Sequence, residues 1–239
     1  MHWTNEPRPP SVGSVTTVVS RPRIRVRTSV ALKAVMAVSG GLLVLFLVAH
    51  MLGNLKIFFG AAAFDHYGHW LRTIGSPVLP GSGYLWIQRT VLTGAVLAHV
   101  WSAAVLTVRA RKARPVGYVH RKPVQGSYAA RTMRWGGVII VLFVVYHVLD
   151  LTGGGLNPVG DPGHPYANVT ADFALSRWPV TLFYVLSVLA VGLHLRHGID
   201  SAMRTLGRGG ARTTALVVSV LLCAGYLSVP LAVMTGLVK

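Results

Sequence analysis

Five long apolar runs constrain the fold of this chain more than any other feature of its sequence. A helix needs about 17 to 25 apolar residues to cross the hydrocarbon core of a bilayer, and each run is long enough. Only 12% of the residues are charged, whereas soluble proteins average about 25%. The sequence therefore predicts an all-α fold, a polytopic membrane bundle of five transmembrane helices near residues 30–52, 85–108, 135–151, 178–203 and 213–238.

The net charge of +17 follows the order of these runs. Basic residues are concentrated before the first run, between the second and third, and between the fourth and fifth, whereas the other two loops mix both signs. The three basic groups are Arg8, Arg21, Arg23, Arg25, Arg27 and Lys33; Arg109, Arg111, Lys112, Arg114, Arg121, Lys122, Arg131 and Arg134; and Arg204, Arg208 and Arg212. Cytoplasmic loops are enriched in Lys and Arg, so we expect the N-terminus inside and the C-terminus outside a cell (plasma) membrane. Because topology accounts for the positive charge, we expect no binding to nucleic acid.

The regions between and before the runs are predicted to be short helices or irregular chain. Residues 1–28 are polar, basic and proline-containing and lack the apolar core of a secretory signal. We expect a disordered cytoplasmic N-terminus there, followed by one membrane domain, 29–239. The stretch "FFGAAAFDHYGHWL" predicts a short helix at the outer interface, and "TGGGLNPVGDPGHPY" predicts an irregular loop.

Cys223 is the only cysteine, which excludes a disulfide, a thiolate zinc site or an iron–sulfur cluster made by this chain alone.

Histidines recur inside the apolar runs, where an imidazole gives up water and needs a partner. His50 lies in "LVLFLVAHML", His99 in "VLAHVW", His147 in "FVVYHVL", and His194 and His197 in "VGLHLRHG". At 1.5 Å per residue from the cytoplasmic basic residues, His50 and His147 lie about 20 to 25 Å deep, His99 and His194 about 15 Å, and His197 about 10 Å. We therefore expect an outer pair from the first and third helices and an inner pair from the second and fourth.

Two imidazoles that meet at one depth match the axial ligands of a six-coordinate haem iron. Glycines near the histidines would let a flat macrocycle approach the helix backbones, although small residues are also common where membrane helices pack. These glycines are Gly40, Gly41, Gly94, Gly136, Gly137 and Gly192. The alternatives are histidines that bond neighbouring helices, a proton path, or transition-metal transport, which usually also requires carboxylates or thiolates.

Four stretches of the sequence together resemble one family. They are "SGGLLVLFLVAHMLGNLKIFFG", "LAHVWSA", "SYAARTMRWGGVIIVLFVVYHVLDL" and "GLHLRHGIDSAMRTLG". In order and spacing they are similar to the cytochrome b membrane-anchor subunit of succinate dehydrogenase and fumarate reductase, of the single-chain, five-helix, diheme type. The resemblance covers about residues 28–207.

This resemblance implies two haem b groups and assigns their ligands. His50 and His147 would bind the distal haem iron, and His99 and His194 the proximal one, with His197 as the alternative to His194. With His194 as the ligand, His197 would contact a haem propionate or a quinone. Arg131 and Arg134 could pair with the proximal propionates, and ordinary positive-inside anchoring is the alternative for both.

The resemblance also implies partners. A flavoprotein subunit and an iron–sulfur subunit would dock on the cytoplasmic side, and electrons would pass through haem to a membrane quinone, or in reverse. The basic loops could dock the iron–sulfur subunit or bind anionic lipid headgroups. We expect the bilayer around the chain and a second copy of the complex as further partners.

Other interpretations of the sequence are a diheme anchor of another dehydrogenase or hydrogenase, a haem-free anchor, and a haem-free transporter or channel. The chain carries no flavin or nucleotide fingerprint, so we expect no succinate chemistry in this subunit itself.

Overall fold

The computed structural model describes residues 28–113 and 128–239, with side chains from residue 133 in the second part. The expectation of disorder at residues 1–28 therefore lies almost entirely outside the described residues. In the described parts all the regular structure is helical. The helices are α1 (Ser29–Asn54), α2 (Ala61–Thr73), α3 (Gly83–Lys112), α4 (Tyr128–His147), α5 (Pro165–Asp172), α6 (Trp178–Thr205) and α7 (Arg212–Met234).

Five of these helices, α1, α3, α4, α6 and α7, are long and apolar enough to cross a membrane, as predicted. Several helix bounds differ from the prediction by four residues or more, and two of these differences have a clear physical reason. Helix α4 begins at Tyr128, before Arg131 and Arg134 rather than after them, because long basic side chains can extend from a helix end toward water. Helix α7 ends at Met234 because Gly236 adopts a φ of 75° and the N–H of Leu237 bonds to the carbonyl of Ala232, which is a Schellman cap.

Two short helices close one end of the bundle, which we call the cap end. Helix α2 confirms the short helix predicted after the first run. It packs against α5, where a carboxylate oxygen of Asp65 accepts a hydrogen bond from the N–H of Tyr166 at 2.8 Å. The sequence did not predict α5, whose first turn holds Pro165, a residue well tolerated there. At the cap end α4 continues through a π-helical turn, Val148–Thr152.

The other end of the bundle, which we call the basic end, carries most of the described cations. Helices α1, α4 and α7 begin there, and α3 and α6 end there. Its exposed cations are Lys33, Arg111, Lys112, Arg134, Arg204, Arg208 and Arg212. The alternation of charge along the sequence therefore becomes a separation of charge between the two ends of one body.

Helices α1 and α6 form the centre of the bundle. Helix α1 packs against α3, α6 and α7, and α6 packs against α4 and α7. In the described residues, the backbones of α1 and α4 hardly approach each other, and the same holds for α3 and α6. Within each of these two pairs, the helices face each other across the bundle and leave room for side chains between them.

The contact between α6 and α7 depends on a missing side chain. A Cβ atom added to Gly192 would overlap the Sγ atom of Cys223. We expect Gly192→Ala to lower the thermal unfolding temperature of the protein in detergent, because overpacking typically costs about 1 to 3 kcal/mol. Gly198→Ala in the same helix is the matched control, since its new Cβ would lie 3.8 Å from the Cε atom of Met133. Adding Cys223→Ala to Gly192→Ala should restore the melting temperature, and an unchanged defect in that double variant would contradict the explanation.

Candidate functional site: two histidine pairs

The structure brings four histidines together as two pairs. The ring centroids of His50 and His147 are 5.9 Å apart with an interplanar angle of 81°. Those of His99 and His194 are 6.1 Å apart at 59°. Helices α1 and α4 supply the first pair and α3 and α6 the second, so each pair spans two helices that do not pack directly. These are the pairs that the estimated depths predicted.

Two glycines show how far apart the pairs lie. A Cβ atom on Gly40 of α1 would lie 3.2 Å from the Cε1 atom of His99, and one on Gly137 of α4 would lie 3.9 Å from that of His194. Gly40 and Gly137 thus mark the level of the second pair on α1 and α4. His50 and His147 each follow ten residues later, which corresponds to about 15 Å along a helix. The pair His50–His147 lies toward the cap end and His99–His194 toward the basic end.

The backbone of α1 fixes which nitrogen of His99 carries the proton. The Nδ1 atom of His99 lies 3.1 Å from the carbonyl oxygen of Met36 and 3.3 Å from the hydroxyl of Ser39. A carbonyl oxygen only accepts, so Nδ1 must donate. In a neutral imidazole the lone pair is then on Nε2, which is free to bind a metal.

A tyrosine plays the same part for His147. The Nδ1 atom of His147 lies 3.4 Å from the hydroxyl oxygen of Tyr184, and this hydroxyl donates to a carboxylate oxygen of Asp150 at 2.8 Å. Since the hydroxyl proton is directed at Asp150, its oxygen accepts from Nδ1 of His147. Chains of this kind orient metal-binding imidazoles and leave Nε2 available.

The histidine that faces His99 has a buried nitrogen without a partner. The Nδ1 atom of His194 is shielded from solvent and has no hydrogen-bond partner among the described residues. A buried polar atom without a partner costs free energy. Burial of the His194 ring at this position therefore destabilises the fold slightly.

The spacing of each pair fits one metal ion between two imidazoles. An imidazole nitrogen binds a first-row transition metal at about 2.0 to 2.1 Å, and the ring centre lies about 1.1 Å behind that nitrogen for C–N bonds near 1.33 Å. Two imidazoles on opposite sides of one ion therefore have ring centres about 6.3 Å apart. The observed 5.9 and 6.1 Å are close to this value.

The surroundings of the pairs suit a flat apolar cofactor. Phe46 stacks on His50 at 5.2 Å, and Phe143 lies 5.7 Å from His147. Gly136 of α4 is half-buried, yet a Cβ atom added there would meet no atom within 4 Å. Helices α3 and α4 make no substantial contact in the described residues. These residues fit a macrocycle between the helices.

The remaining predicted site residues are placed less directly. His197 lies one turn beyond His194 on α6 and is half-buried. Arg134 is exposed at the basic end, whereas the side chain of Arg131 lies outside the described residues. Gly192 leaves no room for a cofactor beside it, because Cys223 of α7 fills that space.

One part of the site was missed by the sequence reasoning. Asp150 and Asp172 are fully buried at the cap end. The hydroxyl of Tyr184 donates a hydrogen bond to Asp150, and the guanidinium of Arg177 donates one to Asp172. The only signal in the sequence was a carboxylate at each end of an outer loop, and Asp150 in particular follows His147 by three residues. That spacing places the two on one helix face.

The fold and the site define a polytopic helical membrane protein with two half-buried histidine pairs at different depths. Comparisons with protein-family models, with curated proteins and with solved structures find no match to this chain. The function is therefore inferred from the geometry of the histidines and from the resemblance described above.

Proposed function

We propose that this chain is the membrane-anchor cytochrome b subunit of a succinate dehydrogenase, and that it passes electrons from an iron–sulfur subunit through haem b to a membrane quinone. The observation that carries the proposal is the presence of two histidine pairs, each with the ring spacing of a shared metal ion. The family resemblance supplies the particular complex. The histidine geometry supports a diheme cytochrome b independently of it.

Haem would explain why each candidate metal site has only two protein ligands. The macrocycle supplies four nitrogen ligands, so the protein needs to supply just two. In the described residues no group of three or more His, Cys, Asp or Glu side chains converges on one point, which is what a metal held by protein ligands alone usually requires. When bound, each haem would supply a reversible one-electron carrier. The protein orients the ligand rings through Met36, Tyr184 and Asp150 and surrounds the carriers with apolar side chains.

The basic end supports a direction for the chain in the membrane. The positive-inside rule places this end in the cytoplasm and the cap end outside, with the N-terminus inside and the C-terminus outside. The cations of the basic end would contact a flavoprotein–iron–sulfur partner by charge complementarity, next to the His99–His194 pair. Electrons would then travel about 15 Å between the two pairs toward the cap side. Anionic lipid headgroups are the other partner that this charge favours.

One alternative function rests on the same observation. The histidine pairs fit equally well a diheme anchor for another dehydrogenase or for a hydrogenase, since the soluble partner leaves no trace in the two pairs. Affinity purification of the chain from its native membrane distinguishes the two. A co-purifying flavoprotein with succinate-dependent haem reduction supports the proposal, whereas a nickel-containing or other redox partner supports the alternative.

The direct test is a reduced-minus-oxidised absorbance spectrum of the purified full-length chain. We expect a b-type α band with about two haems per chain, because each pair would bind one. The double variant His50→Ala/His99→Ala removes one ligand from each pair and should lose the band. A wild-type chain, correctly folded and supplied with haem, that shows no such band would contradict the proposal and favour a haem-free anchor or transporter.

A further inference from the structure

Two carboxyl groups meet in the buried interior of the cap end. Asp150 comes from the π-helical turn after α4 and Asp172 from the last residue of α5, and both side chains are 0% exposed. The two groups are close enough for Asp150 to act on Asp172 electrostatically. Each has one oxygen with a partner, since Tyr184 donates to Asp150 at 2.8 Å and Arg177 to Asp172 at 2.9 Å. The second oxygen of each has no donor in the part of the chain that the structure describes.

A proton between the two carboxyl groups would satisfy both orphaned oxygens. Two buried carboxylates repel each other, and among the described cations only Arg177 forms an ion pair with them. Neighbouring carboxyl groups in this situation hold one proton jointly. Burial, and then the adjacent Asp150, raise the pKa of Asp172 to about 7, while Arg177 opposes the shift.

The pair is close to water on one side and to a histidine pair on the other. Arg177 keeps 29% of its side chain exposed while it binds the fully buried Asp172, so Asp172 is one ion pair away from a solvent-exposed side chain. On the inner side, Tyr184 links Asp150 to the Nδ1 atom of His147 through contacts of 2.8 and 3.4 Å. The titratable and charged groups around the pair are Arg177, Tyr184, Tyr146 and, beyond Tyr184, His147.

We propose that Asp150 and Asp172 form a redox-linked proton site, which takes up one proton from the cap side when one electron arrives at the His50–His147 centre and releases it when the electron leaves. This inference rests on the proposed function, because it assumes a one-electron carrier at that centre. One negative charge and one positive charge enter together, so the buried end of the bundle keeps its net charge. Tyr184 keeps its hydroxyl proton and transmits the coupling by orientation, as a positioning residue.

The sign of the coupling follows from electrostatics. An added electron near Asp150 favours the protonated form of the carboxyl pair. Well below pH 7 the pair is protonated in both states, and the midpoint potential does not depend on pH. Above about pH 7 reduction brings in a proton, and the potential falls as pH rises. Coupling of one proton to each electron is a tenfold change per pH unit, or about 59 mV.

The experiment is a redox titration of the outer haem between about pH 5 and 9, a range that brackets ordinary carboxyl and imidazole groups. The His99→Ala background keeps only the outer haem, so a single midpoint is followed. On the alkaline side we expect the midpoint potential to fall by about 59 mV per pH unit. This pH dependence should be lost in Asp150→Asn and in Asp172→Asn. Tyr184→Phe should keep the haem and weaken the slope. Asp161→Asn is the matched control, since Asp161 is an exposed carboxylate of the same end that pairs with His164.

A second readout does not need haem. Infrared difference spectra in H₂O and D₂O should show a protonated buried carboxyl group at neutral pH in the wild-type chain and none in Asp172→Asn. The redox link would be overturned if haem is present but its midpoint potential does not depend on pH. It would also be overturned if the pH dependence persists in both aspartate variants. Either result would leave the proposed function intact. Absence of haem from the wild-type chain would overturn both, and the infrared band would then report on the shared proton alone.

Discussion

Purified His50→Ala and His147→Ala proteins are each expected to keep about half of the b-type haem absorbance of the wild-type chain. The ring centroids of these two residues are 5.9 Å apart, so loss of either ring would leave the proposed shared iron with one protein ligand. The double variant His50→Ala/His147→Ala should lose no more than either single variant, because both changes remove the same haem. The measurement is the pyridine haemochrome content per chain, with chain concentration determined independently.

Two observations control this experiment. His66→Ala removes a histidine of α2, outside the spanning helices, and should keep full haem content. Size-exclusion chromatography in detergent checks that each variant remains folded. If the two single variants lost different haems, so that the double variant lost all absorbance, the assignment of His50 and His147 to one iron would be wrong.

His194→Ala is expected to abolish the second haem, whereas His197→Ala should leave both in place. The ring of His194 faces that of His99 at 6.1 Å, and His197 lies three residues on, about 4.5 Å further along α6. The structure thus favours His194 between the two residues that the sequence left open. His194→Ala should lose about half of the haem and His197→Ala none, as measured by the pyridine haemochrome content of each single variant.

The electron paramagnetic resonance spectrum of the oxidised protein provides the second check on this choice. His197→Ala should retain both low-spin ferric signals, and His194→Ala should retain only that of the outer centre. Loss of the inner signal in His197→Ala, with His194→Ala unaffected, would reverse the assignment and imply a rearrangement of α6 when haem binds.

Much of this fold was predictable because its main determinants are local in sequence. Hydropathy alone located five spans, since any helix in lipid must be long and apolar. The pairing of the histidines was predictable for a related reason. A straight helix converts sequence separation into depth, so the distance from Lys33 to His50, or from Arg134 to His147, indicates which histidines meet.

The features that were missed depend on contacts between distant parts of the chain. Asp172 follows a stretch whose glycines and prolines favoured irregular structure, and it is buried where α5 packs against α2 and against the π-helical turn after α4. Nothing in the local sequence shows that Tyr184 reaches both His147 and Asp150. Likewise, Gly192 resembled a residue beside a cofactor until the position of α7 showed that Cys223 occupies the space.

The separation of α3 from α4 has a consequence for assembly. If haem binds as proposed, a planar, lipid-soluble molecule would reach the interior from the acyl chains between these two helices, without unfolding of the bundle. Insertion of the polypeptide and its loading with cofactor would then be successive events.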